Sequence, residues 1–213
     1  MFLRRAFLPL SIVGLTGLAL VSCGEPQNRY LSESNERVYL RVPSDWVEVP
    51  MTEADGDYLT QQSSDARLVW RAGVTSDQNA EAIDELTLDE PFALVKVYEV
   101  DGVLNQNMSV SLARVAGAGV GFDPVLPGDE AKGLAEVLSY TPTESGNALQ
   151  GSRAVFRTRA DATADWDAVV DMTTYFDPTT YRLYVLRIAC SPDCYAANQD
   201  TITKIANSWS VEP

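Results

Sequence analysis

The sequence predicts an α+β protein, an antiparallel layer structure in which a run of strands is closed by a helix. Three observations carry this. Short runs rich in β-branched and aromatic residues recur between Val38 and Ala189. The last two such runs are joined by Asp177-Pro178-Thr179-Thr180, a hairpin turn. The C-terminus then reads as a capped amphipathic helix.

The elements follow in order. Val38-Tyr39-Leu40-Arg41-Val42-Pro43 alternates as a strand with one buried face. Ser44-Asp45 turns the chain into Trp46-Val47-Glu48-Val49-Pro50, a second strand. Arg67 to Val74 predicts a strand and Ala80 to Leu88 a short helix. Phe92 to Val100 is a strand entered through Pro91 and left through Asp101-Gly102. Ser109 or Ser111 caps a short helix through Ala116, which Gly117 to Gly121 should break. Val137 to Tyr140, Arg153 to Arg159, Val169 to Phe176 and Leu183 to Ala189 predict four more strands. In the closing helix Ser191 suits the N-cap, Pro192 the first helical position, and Asp193 the positive end of the dipole. Tyr195, Ile202, Ile205 and Trp209 recur at helical spacing and should face the sheet.

The N-terminus gives an address. Arg4 and Arg5 precede an apolar run from Ala6 to Val21. At about 16 residues it is short for a membrane span, which needs ~20. Such a segment is an export signal and lies outside the fold. It ends in Leu20-Val21-Ser22-Cys23, which resembles the bacterial lipobox: a small residue before the cysteine admits the signal peptidase, and the thiolate carries the lipid. Residues 1–22 are therefore expected to be removed, and Cys23 to be lipidated, a palmitate-type acyl anchor. Arg4-Arg5-Ala6-Phe7-Leu8 resembles the twin-arginine export signal, with Leu3 and Pro9 departing from it. Both export routes stay open. Gly24 to Arg37 is polar and predicts a tether, roughly 50 Å if fully extended.

The 213 residues, less the signal, suffice for one domain over 38–213. The chain's net charge is −14, and loss of the signal removes two arginines more. Such a surface repels phosphate polymers, so nucleic acid is not an expected partner. Arginine far outnumbers lysine, which is confined to Lys96, Lys132 and Lys204, a bias that points to a GC-rich, actinobacterial genome. Histidine is absent, which excludes a Ser-His-Asp or Cys-His relay and the usual zinc, copper and haem ligand sets. No cofactor is expected.

The opening YLRVPSDWVEVP, the later meander of strands and the closing Ser208-Trp209-Ser210-Val211 together resemble the PsbP-like α/β/α sandwich. They are similar, more narrowly, to the LpqN-type lipoproteins of actinobacteria. The resemblance covers Val38 to Val211 and its motifs are structural. It implies a central antiparallel sheet with helices on both faces and a role in binding or scaffolding. It implies no shared catalytic set, and none is assigned.

The remaining candidates come from residues alone. Cys190 and Cys194 lie at a strand end and in the first helical turn, a spacing a disulfide can span, in an exported chain. So short a loop should contribute roughly 2 kcal/mol in the chain-entropy view. A redox pair is the rival, but three intervening residues do not match the thioredoxin-like spacing. Asp161, Asp165, Asp167 and Asp171 cluster in sequence as calcium ligands do, yet lack the glycine and terminal glutamate of an EF-hand. A solvated loop is the expected reading, and Glu53, Asp55 and Asp57 are read likewise. Trp166 in that loop is the candidate for stacking on a wall sugar, against a buried anchor. Ala116 to Gly121 lacks the ending of a phosphate cradle. The whole predicts a non-enzymatic binding or accessory lipoprotein on the extracytoplasmic face of the cell membrane. Its partner would be an envelope protein or a cell-wall component. The rival is a hydrolase or transferase of envelope polymers using paired carboxylates.

Overall fold

The computed structural model describes residues 27–51, 58–82, 87–128, 131–144 and 149–212. The signal segment, Cys23, and the acidic residues Glu53, Asp55 and Asp57 lie outside the described residues. Seven strands form one antiparallel sheet: β3 (Val47–Val49), β4 (Ala66–Thr75), β5 (Phe92–Val100), β6 (Ala135–Glu144), β7 (Gln150–Thr158), β8 (Ala168–Asp177) and β9 (Arg182–Cys190). Their spatial order is β3-β4-β5-β9-β8-β7-β6. A three-stranded sheet of β1 (Asn28–Glu33), β2 (Val38–Pro43) and β10 (Ser210–Val211) lies beside it, in the order β1-β2-β10. The helices are α1 (Tyr58–Gln62), α2 (Gly102–Asn107), α3 (Val110–Ala118) and α4 (Pro192–Ser208).

The central strands are buried on both faces because α3 and α4 cover opposite sides. On β8, Met172 faces α3 while Val169 faces α4, so the strand reads as a nearly continuous buried run. The fold class expected from the sequence is the one observed.

The larger core has three walls. Val95, Val97, Leu186 and Ile188 come from the sheet, Ile202 and Ile205 from α4, and Val38, Leu40 and Val42 from β2. Ile202 and Ile205 sit one helical turn apart, so both point the same way. Helix α4 starts where its sequence says: Ser191 accepts a hydrogen bond from the Cys194 amide, with Pro192 following in the first turn. Trp209 lies just past the helix, buried, its ring 6.5 Å from that of Tyr175.

On the other face α3 is capped by Ser109, which accepts from the Leu112 amide at 3.1 Å. The helix runs through Gly117 before Gly119 ends it in a left-handed turn (φ 69°). A Cβ on Gly117 would stand 2.8 Å from Met172 Sδ and Thr174 Cγ2, so glycine lets the helix settle against β8.

Three expectations need correction. The polar segment read as a tether is, from Asn28 onward, a strand paired in register with β2 from Asn28–Pro43 to Glu33–Val38. Only Leu31 in it is buried, which is why it reads as a linker. The helix expected over Ala80 to Leu88 is not formed at residues 80–82 or 87–88, and residues 83–86 lie outside the described residues. The glycine stretch Gly117 to Gly121 breaks the helix two residues later than expected.

Because Ile202 is fully enclosed in this core, the substitution Ile202→Ala should lower the unfolding free energy by about 2–5 kcal/mol. Chemical denaturation of the variant and the parent checks this.

Candidate functional site

Strand order leaves β6 at one end of the large sheet, with β7 as its neighbour. The opposite end is β3, three residues long. Strand β6 is ten residues long and presents Val137, Leu138 and Tyr140 to solvent, the last two more than 40 % exposed. A long open edge with apolar side chains is a ready template for another extended chain.

A bulge shapes this edge. Val137 opposes Phe156 and Ser139 opposes Val155, so Leu138 has no opposite partner. The extra residue resets the alternation and brings Tyr140, opposite Ala154, onto the α3 side.

There Tyr140 meets a buried ion pair. Arg114 of α3 donates from Nε and Nη2 to the two oxygens of Asp123, at 2.8 and 2.6 Å. Ser111 Oγ and the Val125 amide also donate to Asp123. The Arg114 guanidinium lies 5.3 Å from the Tyr140 ring centre, and its Nη1 donates to the phenol oxygen at 3.3 Å. Burial pushes the Asp123 carboxyl up, but the hydrogen bonds from Arg114, Ser111 and Val125 prevail and hold its pKa below the ordinary value. The bond to Asp123 raises Arg114 in turn. An aromatic on the open edge thus rests on a charged pair fixed to the helix behind it.

The residues singled out from sequence fall elsewhere. Asp161 accepts from Thr163 and from the amides of Thr163 and Ala164, closing its own turn, and those bonds lower its pKa. Asp167 accepts from the Ala160 amide, and Asp165 is exposed. Asp171 points into the α4 side, fully enclosed, where Arg153 grips it through Nε and Nη2 at 2.8 and 2.6 Å. Among the described residues no acidic or cysteine cluster could hold a metal ion. Asp161, Asp167 and Asp171 thus serve three separate local purposes.

Trp166 is half-buried, and its ring is already engaged. The guanidinium carbons of Arg157 and Arg159 lie 4.6 and 4.4 Å from its centre. Arg159 also donates to the carbonyls of Gly133 and Ala164, and Arg157 to Glu136 of β6. The two guanidiniums packed on the ring tie it to the neighbouring strand, the anchoring alternative to stacking on a sugar.

Cys190, the last residue of β9, is bonded to Cys194 in the first turn of α4, with Cα atoms 5.8 Å apart. Next to it Tyr195 has its pKa pushed up to about 12, by burial first and then by the Asp171 charge. The sequence offered one hint of the β6 edge: Val137, Leu138 and Tyr140 do not alternate cleanly. Nothing local could say that this strand would be outermost.

No protein-family model matches the chain, and no curated protein matches it. Among solved structures it is similar to cyanobacterial PsbP (CyanoP) from Synechocystis sp. PCC 6803, with a TM-score of 0.52 and 12 % identity over 96 % of this chain and 99 % of that one. It is also similar to LpqN, involved in cell envelope biogenesis of Mycobacterium tuberculosis, with a TM-score of 0.47 and 15 % identity over 88 % and 91 %. The Saccharomyces cerevisiae Ran-binding protein Mog1p gives 0.46 and 12 % over 86 % and 95 %. The likeness to cyanobacterial PsbP shows the fold, which is PsbP-like.

Asp123, with its pKa held below the usual 3.8, stabilises the fold above that pH, and the contribution is lost as pH falls through the lowered value. Asp123→Asn should cost about 3–5 kcal/mol at neutral pH, because Arg114 is left buried and unpaired. Its stability should also fall less steeply than the parent's below pH 3.8. Denaturation midpoints across an acid series measure both effects.

Proposed function

We propose that this chain is an exported lipoprotein, anchored through Cys23 on the extracytoplasmic face of the cell membrane. There it acts as a non-enzymatic module that binds an extended segment of another envelope protein along β6. The observation that carries the reading is the ten-residue open strand with Val137, Leu138 and Tyr140 exposed. Strand addition would satisfy its outward backbone groups, and the three side chains would supply the apolar contact. The chain's net charge of −14 favours a partner segment with basic residues.

The lipobox Leu20-Val21-Ser22-Cys23 supports the anchor. Because β1 begins at Asn28, only Gly24 to Gln27 would separate the lipid from the domain. That is about 14 Å even when extended, so the domain would ride close to the bilayer. The buried carboxylates Asp123 and Asp171 are each gripped by a guanidinium, an arrangement that favours structure over acid-base chemistry.

A photo-crosslinking amino acid at position 138 should give one defined adduct in the native envelope. The same group at Tyr181, half-exposed on the β8–β9 turn, should give none. Equal adducts at both positions, or none at 138, would contradict the docking edge. Separately, Cys23→Ser should release the protein or leave it unprocessed. Full membrane retention at unchanged mass would remove the anchor from the account without touching the edge.

A further inference from the structure

Among the described residues, one deeply set cation has no partner. Arg114 and Arg153 each grip an aspartate, while Arg29, Arg67, Arg157 and Arg182 pair with glutamates. Arg159 donates to two carbonyls. Arg187 of β9 has neither. Its Nε is fully enclosed with no hydrogen-bond partner, although the side chain as a whole stays partly exposed. Solvent can therefore reach the guanidinium without the fold having satisfied it. Burial acts alone on its pKa, downward, with no carboxylate to offset it.

The surroundings are shaped to leave this group uncovered. Gly119, the residue that ends α3, lies against it: a Cβ there would stand 2.6 Å from Nη1 and 3.5 Å from Cζ. Any other residue would crowd the fork, and φ 69° already favours glycine at this position. In the sheet Arg187 opposes Leu94 on β5 and Met172 on β8, so its flanks are apolar. Lys96, two residues along β5 from Leu94, shares that face and opposes Arg71 on β4. Three of the chain's 16 basic residues thus lie in adjacent register on one sheet face, within an acidic protein.

We propose that Arg187 anchors a small-anion site, and that its ligand is a molecule bearing a single carboxylate on a short apolar body. A carboxylate presents two coplanar oxygens that match the guanidinium fork. One negative charge balances the one unpaired cation. A dianion would face the net −14 of the chain with no second free fork to hold it. Leu94, opposite Arg187 on β5 and partly exposed, suits a short hydrocarbon better than a polar body. The competing role for Arg187 is to complement the negative end of α3 at Gly119, which would need no ligand.

Thermal unfolding of the purified protein in nonionic detergent separates the two, with acetate, butyrate, phosphate and chloride compared at equal ionic strength. Ligand that binds only the folded state raises the unfolding temperature saturably. Acetate and butyrate should do so relative to chloride, butyrate at the lower concentration, and phosphate should fall short of both. Arg187→Gln should abolish the shift. Arg187→Lys, which keeps the charge but loses the planar fork, should need about tenfold more acetate for the same shift. The lysine variant decides the matter if the glutamine variant does not fold. No saturable shift in the parent overturns the proposal, as does an equal shift in the variants or a larger effect of phosphate.

Discussion

A strand inside an antiparallel sheet satisfies its backbone through two neighbours, and among the described residues β6 has one. Much of the molecule's organisation follows from where that deficit is placed. The other end of the large sheet is closed cheaply, by a strand of three residues followed by Pro50. The interior strands β5, β9 and β8 carry the densest apolar sequence and are sandwiched between α3 on one side and α4 with β2 on the other. Among the described residues strand β6 receives none of that cover along its outer side, yet it stays paired with β7 along its length except at the bulge residue Leu138. Its bulge and the Arg114–Asp123 pair behind Tyr140 hold the open strand in a fixed shape. A rigid edge costs a partner less ordering than a loose one.

The charges divide by depth. Acidic side chains outnumber basic ones, and of the buried aspartates Asp123 and Asp171 are each gripped by an arginine, while Asp177 accepts from Thr179 and Thr180 in its own turn. Arginine suits this work because its fork satisfies both oxygens of a carboxylate at once. Arg153 adds a third contact, to Asn207 of α4, so the Asp171 pair also ties the helix to the sheet. The exposed acids stay in water, where their repulsion disfavours polyanions. Trp166 belongs to the same economy of arginines, since it is the surface on which Arg157 and Arg159 rest.

Sequence reading went furthest where local and tertiary preferences agree. Phe92–Val100 forms a strand over the expected residues, and α4 starts at its expected cap, because apolar pattern and capping chemistry there coincide with the packing. It failed where pairing partners decide. Strand β1 has one buried side chain, and the register with β2 makes it a strand when composition alone suggests a tether. Helices α1 and α2 have five and six residues, too few for a periodic pattern to emerge. The candidate edge was legible only as an apolar run, since strand order is a property of the whole chain. Trp166 was left between two readings for a related reason: the two arginines over its ring lie seven and nine residues before it on the neighbouring strand and its exit, and only the fold brings them there. Arg187 looks unremarkable in the segment Leu183 to Ala189, and only its neighbours reveal that it lacks a partner.

The central claim is that β6 is an edge held open for another chain. Amide hydrogen exchange along 135–144 tests it most directly, with the protein measured in its native membranes and again after purification. If a partner strand occupies the edge, the β6 amides that exchange fast in the purified protein should slow in the membranes, while those of β3 should not change. Identical exchange of β6 in both states would contradict the account.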